Sequence, residues 1–468
     1  MYHFLTIAVF AAAVAFRLIL CWANPPANSF DNHYEPVFLI FNTWHVPAKD
    51  ACFLCFHPPV FYYSSALAAQ ALHACGLGFK TIMKPLQFLN CLYGILTLFM
   101  IHLILKKYRL PAWARFAAFG TICFLPRHVF LSAMFSNDCL SFLAVAVCLY
   151  LLLVTIDRKL SLPLAALTGL AVSLAIFIKY TAFITIPMVA VPLCTLLFIK
   201  CGIPRSKTAA ALFCALFLPL VLLGTYCASN NKEYGQALPA NESISNFSIS
   251  QPHDPEGIRF ASFTPWQYMQ EPILVPGHMH SFWTLIYSGM WVDDEPRFTY
   301  FTDIQPGWWK QYLAWLRGEA GFPQSAIPIS GLTRMLAFGL LAVGLVPLYL
   351  FIIGLLRCVR RMLPQKDGPV TIESVKLQPL PLLFAFNAVG IILLTLKFPV
   401  YSCMKAAYFL GSMPAFAVCM ALSIENMDTK KWMQRAVLSV AFILMLLTSA
   451  TVFRITWSLL TLPWASSR

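Results

Sequence analysis

Residues 31–63 read DNHYEPVFLIFNTWHVPAKDACFLCFHPPVFYY. This stretch holds Asp31, Glu35 and Asp50, the histidines His33, His45 and His57, a Cys-x-x-Cys at Cys52 and Cys55, and His57-Pro58-Pro59. Most of the chain outside it is apolar. Ionisable groups at a membrane boundary cost free energy unless they are paired or hydrated. The stretch is therefore either an ordinary wet loop or part of a site at the membrane–water boundary. The rest of the chain bears on that choice.

The composition is that of a polytopic membrane protein. Of 468 residues, 59% are hydrophobic and 11% charged, with a mean hydropathy of +0.71, whereas soluble domains carry about 25% charged residues. The formal charge of +14 does not point to nucleic acid. Lys and Arg gather in short loops between apolar runs, as orientation signals do. The first apolar run, Phe4 to Trp22, contains Arg17 and lacks a small-x-small cleavage pattern, so it reads as a retained helix. The 15 cysteines scatter mostly through apolar runs, where a thiol behaves as a small hydrophobe.

A spanning helix needs about 20 predominantly apolar residues. Segments near 4–22, 86–105, 112–126, 138–156, 160–178, 181–199, 208–228, 333–356, 379–397, 405–424 and 436–457 meet or approach that length. The expected fold is an all-α bundle of about 11 transmembrane helices. Residues 60–75 are short and follow two prolines. Laying them on the outer surface as an interfacial helix makes the charge pattern consistent. The loops Lys106–Arg109, Asp157–Lys159, Lys200–Lys207, Arg357–Lys376 and Glu425–Arg435, all with Lys or Arg, then face the cytoplasm. The expected division is an N-terminal catalytic module, 1–228, with its first outer loop at 23–85, an outer loop domain at 229–332, and C-terminal helices at 333–468. The outer segment is long for a connection. It carries two glycosylation sequons, at Asn241 and Asn246, which matter only in a eukaryotic secretory compartment. Around Trp308, Tyr312 and Trp315 it reads as an interfacial helix with an aromatic belt.

Polar groups converge on the outer side. Asp31 and Glu35 are four residues apart, Pro126-Arg127-His128 and Ser136-Asn137-Asp138 flank the second outer turn, and Lys179-Tyr180 stands alone between two apolar runs. Lys405 and Tyr408 open a late span. Arg127, Lys179 and Lys405 are cations on the side where topology disfavours them. Each alone could snorkel to lipid headgroups, but three together suggest an anionic partner such as phosphate.

In this order the acidic first loop, HPPVFYY at 57–63, SNDCLSFLAVAVCLYLLL at 136–153, FIKYTAFITIP at 177–187 and KAAYFLGSMPA at 405–415 resemble family 39 of the GT-C glycosyltransferases. That family includes protein O-mannosyltransferases and aminoarabinose transferases. The resemblance covers 1–230 and, more weakly, 380–420. It implies a polyprenyl-phosphate sugar donor, transfer on the outer face with inversion, no nucleotide, and a first-loop acid as base. Many members have adjacent Asp-Glu where this chain has Asp31-Asn-His33-Tyr-Glu35. Asp31 is preferred as base, with Glu35 the alternative. Lys179, Tyr180, Lys405, Tyr408 and Arg127 are expected at the donor phosphate, and His33, His57, Asn137 and Asp138 at the substrates. The outer segment is too short for the trefoil domain of eukaryotic protein mannosyltransferases.

Two other functions compete. A lipid or sugar transporter or flippase should show polar or broken helices at mid-membrane, whereas these runs are apolar through their centres. A metal-dependent oligosaccharyl-type transferase would share the architecture, and Asp293-Asp294-Glu295 could supply carboxylates to a divalent cation, although an acidic turn is the simpler reading. No resident cofactor is expected. The partners are the lipid-linked donor, a glycan, lipid or protein acceptor, and membrane lipids. The membrane is expected to be a bacterial inner membrane with a periplasmic site, or the endoplasmic reticulum facing the lumen. Cys52 and Cys55 fit zinc, redox or structural roles. A structural disulfide is preferred because the topology puts them in an oxidising compartment.

Overall fold

The computed structural model describes residues 1–28, 31–199, 202–239, 257–278, 281–293, 306–324, 329–363, 370–425 and 431–461. Both sequons, Asp294 and Glu295 lie outside the described residues. The helices follow the apolar runs. α1 (Tyr2–Ala23) is 22 residues long, about 33 Å at 1.5 Å per residue, enough for a hydrocarbon core of about 30 Å. Next come α2 (Tyr34–Thr43) and α3 (Val60–Ala74), which pack on each other, and then α4 (Phe79–Lys106). At 15 residues α3 is too short to span. It buries Phe61, Tyr62, Ser65, Ala66 and Ala69 against its neighbours.

The span expected at 112–126 is broken. α5 (Ala112–Cys123) has 12 residues, and the chain then turns through extended Leu125 (φ −67°, ψ 112°) into the short α6 (Pro126–Ser132). A residue before proline is driven out of the helical region by the ring, so Pro126 ends the run. α7 (Asp138–Asp157) and α8 (Leu162–Ile178) follow, the latter at 17 residues. Lys179 is extended (φ −157°, ψ 141°) and leads through a 3-10 turn, Tyr180–Ile184, into α9 (Thr185–Phe198). α10 (Arg205–Tyr234) packs along α8. A Cβ on Gly169 would come within 2.7 Å of the Cys214 carbonyl, which is why a glycine occupies that crossing.

The long segment 229–332 contributes α11 (Pro265–Gln270), α12 (Phe282–Trp291) and α13 (Pro306–Leu316). The expected aromatic belt on α13 is corrected here. Trp308, Tyr312 and Trp315 are buried, pack with Phe322, and the Tyr312 hydroxyl donates to the Leu274 carbonyl (2.9 Å). Positions i, i+4 and i+7 share one helix face, and that face meets protein.

α14 (Gly331–Met362), α15 (Ile372–Leu377), α16 (Pro379–Lys397), α17 (Met413–Ile424) and α18 (Lys431–Thr461) complete the bundle. α14 and α17 touch backbone to backbone, since a Cβ on Gly354 would overlap the Cys419 carbonyl. Among the described residues nine helical segments are long and apolar enough to cross a membrane, and Leu162–Ile178 is a shorter apolar helix. The runs expected at 112–126 and 160–178 are the shorter α5 and α8, and α8 leaves Leu167, Leu170 and Leu174 exposed. The only strand-like pairing among the described residues is a single bridge, Arg259 with Ser281.

Buried polar groups tie the N-terminal helices together. Arg17 is fully buried in α1. It donates to the Cys123 carbonyl (2.9 Å) at the end of α5 and lies 2.9 Å from Nδ1 of His128. Such groups are tolerated inside a bundle only when hydrogen-bonded.

Candidate active site

The turn between α6 and α7 is held from two helices. Asn24, just past α1, and Gln87 of α4 each donate to the Ala133 carbonyl at 2.7 Å. Asn90 donates to the Leu131 (3.1 Å) and Met134 (2.5 Å) carbonyls. The loop carbonyls left open after α6 thus find side-chain donors. The turn presents Arg127, Ser136 and Asp138 to a cavity of about 820 Å³. Asp138 accepts a hydrogen bond from Lys179 Nζ at 2.6 Å, with both side chains largely buried. Lys179 reaches it because the extended backbone at 179 separates α8 from the 3-10 turn. Its ammonium also lies 5.5 Å from the centre of the Tyr408 ring. On another wall Arg127 Nη1 lies 3.8 Å from Asp293 Oδ1, with side-chain exposures of 1% and 0%.

The first loop adds Asp31, His33 and His57 to the lining. The His33 ring packs beside those of Phe61 and Tyr62, and its Nδ1 lies 3.0 Å from the Tyr62 hydroxyl. Burial pulls the His33 pKa down to about 4, with Asp31 and Asp138 opposing that shift and Lys179 adding to it. Burial also holds His57 well below the ordinary imidazole range, with Lys179, His33 and Lys49 acting in the same direction. Both rings are therefore neutral near pH 7. Cys52 and Cys55 are joined by a disulfide. The turn after it is clamped at the Phe56 carbonyl, which accepts from the Tyr180 hydroxyl (3.0 Å) and from Lys49 Nζ (3.3 Å). Lys49 also donates to the Tyr226 hydroxyl (2.7 Å), which lies 3.2 Å from that of Tyr180.

The late helices close the cavity with Lys405, Tyr408 and Lys397, while Ile186, Pro187, Ile391 and Leu394 from α9 and α16 give it an apolar wall. The lining thus carries Arg127, Lys179, Lys397 and Lys405 against Asp31 and Asp138, an excess of positive charge. Of the residues expected at the site, Asp31, His33, His57, Arg127, Asp138, Lys179, Tyr180, Lys405 and Tyr408 all line this one cavity. Glu35 is exposed on the first turn of α2. Asn137 is buried beside the cavity, its amide atoms without a hydrogen-bond partner among the described residues. Lys397 was not expected, and Asp293, considered above only as a carboxylate for a divalent cation, pairs instead with Arg127. Lys397 is one more cation in the turn that ends at Lys405, and extending the charge count to it would have found it. The pairing of Asp293 with Arg127 leaves no local trace in the sequence.

No protein-family model matches the sequence, and no curated protein sequence matches it. Solved structures do match. The apo oligosaccharyltransferase of Archaeoglobus fulgidus superposes over 96% of this chain and 56% of its own, with a TM-score of 0.52 at 12% identity. The chain shares the fold of this archaeal oligosaccharyltransferase. The complex of the same archaeal enzyme with zinc and sulfate gives 0.51 at 13% identity over 95% and 53% of the two chains. ArnT from Cupriavidus metallidurans matches over 90% of this chain and 77% of its own at 16% identity, with a TM-score of 0.36 that carries no argument. This chain spans a little over half the length of the archaeal enzyme.

The archaeal enzyme has been solved with zinc, so the donor set here is compared with that of a metal site. Among the described residues no three His, Cys, Asp or Glu side chains are grouped to hold an ion. The cavity's two carboxylates are Asp31 and Asp138, and Asp138 is bonded to an ammonium. The described residues do not fit a metal centre.

Proposed function

We propose that this chain is an integral membrane glycosyltransferase. It moves a sugar from a polyprenyl-phosphate donor to an acceptor hydroxyl, with inversion, on the outer side of the membrane. The observation that carries this reading is the content of one cavity, where a carboxylate, Asp31, faces four cations beside an apolar wall within the bundle. A phosphate on a lipid chain suits that mixture, with the anion among the cations and the chain along α9 and α16.

In the reaction Asp31 takes the proton of the acceptor hydroxyl. The oxygen attacks the anomeric carbon from the face opposite the phosphate, so configuration inverts. The bond from that carbon to the phosphate oxygen breaks and its electron pair leaves with the lipid phosphate. Charge grows on that phosphate, where Arg127, Lys179 and Lys405 stabilise it. The neutral rings of His33 and His57 offer hydrogen bonds to sugar or acceptor hydroxyls without adding charge. The outer orientation is supported by the basic loops on the opposite side.

The test is purified protein in proteoliposomes with a panel of radiolabelled polyprenyl-phosphate hexoses and pentoses. Loss of sugar from one donor, with label recovered in an acceptor fraction, is expected. Donors that stay intact while crossing between leaflets would replace the enzyme with a flippase.

A further inference from the structure

The guanidinium of Arg127 forms one wall of the cavity, yet its counter-ion comes from the outer segment. Asp293 follows α12, which packs against α6 and against the 3-10 turn carrying Tyr408. Trp291 sits in the gap left by Gly344, where a Cβ would come within 2.6 Å of the indole. That packing delivers Asp293 to Arg127 with no exposure of the carboxylate. Across the cavity Lys179 has its own carboxylate, Asp138. A buried cation without a counter-charge is strongly unfavourable, and each of these two is compensated by a carboxylate built into the fold.

We propose that Asp293 is the resident counter-ion of Arg127, which the phosphate of the lipid substrate displaces, and that it sets how tightly spent lipid phosphate is held. This rests on Arg127 meeting that phosphate. With Asp293 present, an arriving phosphate exchanges one anionic partner for another, so the gain is modest and the product can leave. A phosphate monoester carries nearly two negative charges near neutral pH, and a guanidinium relieved of the Asp293 charge would hold it more tightly.

The sign of the expected effect separates this role from a purely structural one. Asp293→Asn should bind polyprenyl phosphate more tightly than wild type, on the order of tenfold, since close charges interact strongly at low effective dielectric. Its turnover should fall through slow product release, and polyprenyl phosphate should raise its melting temperature more than that of wild type. In an Arg127→Met background the same substitution should not tighten binding, because distant or indirect effects add whereas a direct pair does not. The Arg127→Met, Asp293→Asn protein has lost both charges and should fold. Its failure to fold would overturn the pairing as the reason for Asp293. Unchanged or weaker binding by Asp293→Asn, or tightening that persists with Arg127→Met, would overturn the proposal while leaving the donor reading intact. Polyprenyl phosphate bound by neither wild type nor Asp293→Asn would remove both. Inorganic phosphate serves as the second probe, and tightening with it alone would assign the site to a free anion and overturn the lipid substrate.

Discussion

Lys179 Nζ and Asp138 Oδ1 are 2.6 Å apart in the wall of the cavity, and both side chains are largely buried. Removing one partner of such a pair costs about 3–5 kcal/mol, so a single substitution tests stability and function together. Lys179→Met is expected to lower kcat/KM for the donor roughly 10- to 100-fold, the scale of a charged hydrogen bond. Adding Asp138→Asn should recover melting temperature without recovering donor use. Unchanged donor kinetics in the single variant would take Lys179 out of the site.

Asp31 lines the cavity and Glu35 is exposed on α2. Asp31→Asn keeps the shape and removes the base, so turnover should fall by roughly two to four orders of magnitude while polyprenyl phosphate still binds. Glu35→Gln should stay within a few-fold of wild type. The opposite pattern in a single-turnover assay would transfer the role to Glu35.

Acid should weaken the first loop. Burial lowers the folded pKa of His33 to about 4, against 6.5 for the ordinary imidazole, and lowers His57 as well. Above about pH 6.5 both states are neutral and these rings contribute no pH dependence. As pH falls from there toward 4 the unfolded chain takes up protons that folded His33 does not, so stability drops across that window. The groups acting on His33 are Asp31, Asp138 and Lys179. A His33→Asn protein should show a flatter decline in melting temperature between pH 6.5 and 4. An identical slope would show that His33 does not titrate this way.

The Cys52–Cys55 disulfide closes a ring of four residues beside the clamped Phe56 carbonyl. Chain entropy gives so small a ring only about 2 kcal/mol. Losing it should slow transfer severalfold and lower stability modestly. Alkylation without reduction, followed by mass spectrometry, should find neither cysteine modified. A peptide spanning 50–60 with two alkylated thiols would reject the bond.

Orientation is open to chemical labelling. A cysteine placed at Gln236 should react with an impermeant reagent added outside, and one at Gln365 should not. The reverse would put the cavity on the cytoplasmic side and remove the donor scheme with it.

Much of this architecture is legible in the sequence because membranes impose a simple rule on apolar runs. Lys179 could be singled out because a cation between two apolar runs has few explanations, and the structure puts it in the cavity. Pro126 was equally visible, yet its effect on Leu125 turned an expected span into two short helices. The aromatic residues of α13 misled for a different reason. A Trp face that meets lipid and one that meets protein have the same spacing, and only the packing of Phe322 and Leu274 distinguishes them. Arg127 with Asp293 was beyond reach, since charge pairs across distant segments follow from tertiary packing alone.

Arg17 carries a consequence for biosynthesis. Its partners, the Cys123 carbonyl and His128, come 106 and 111 residues later. An arginine in a lone apolar helix opposes membrane insertion, by about 2.5–3.5 kcal/mol at the helix centre and by less toward the end where Arg17 sits. The first helix therefore enters the bilayer with that cost uncompensated and reaches its final seat only after α5 and α6 have emerged from the ribosome. A nascent chain stopped before residue 123 should be extracted from membranes more readily than one that includes α6. Arg17→Leu should abolish the difference.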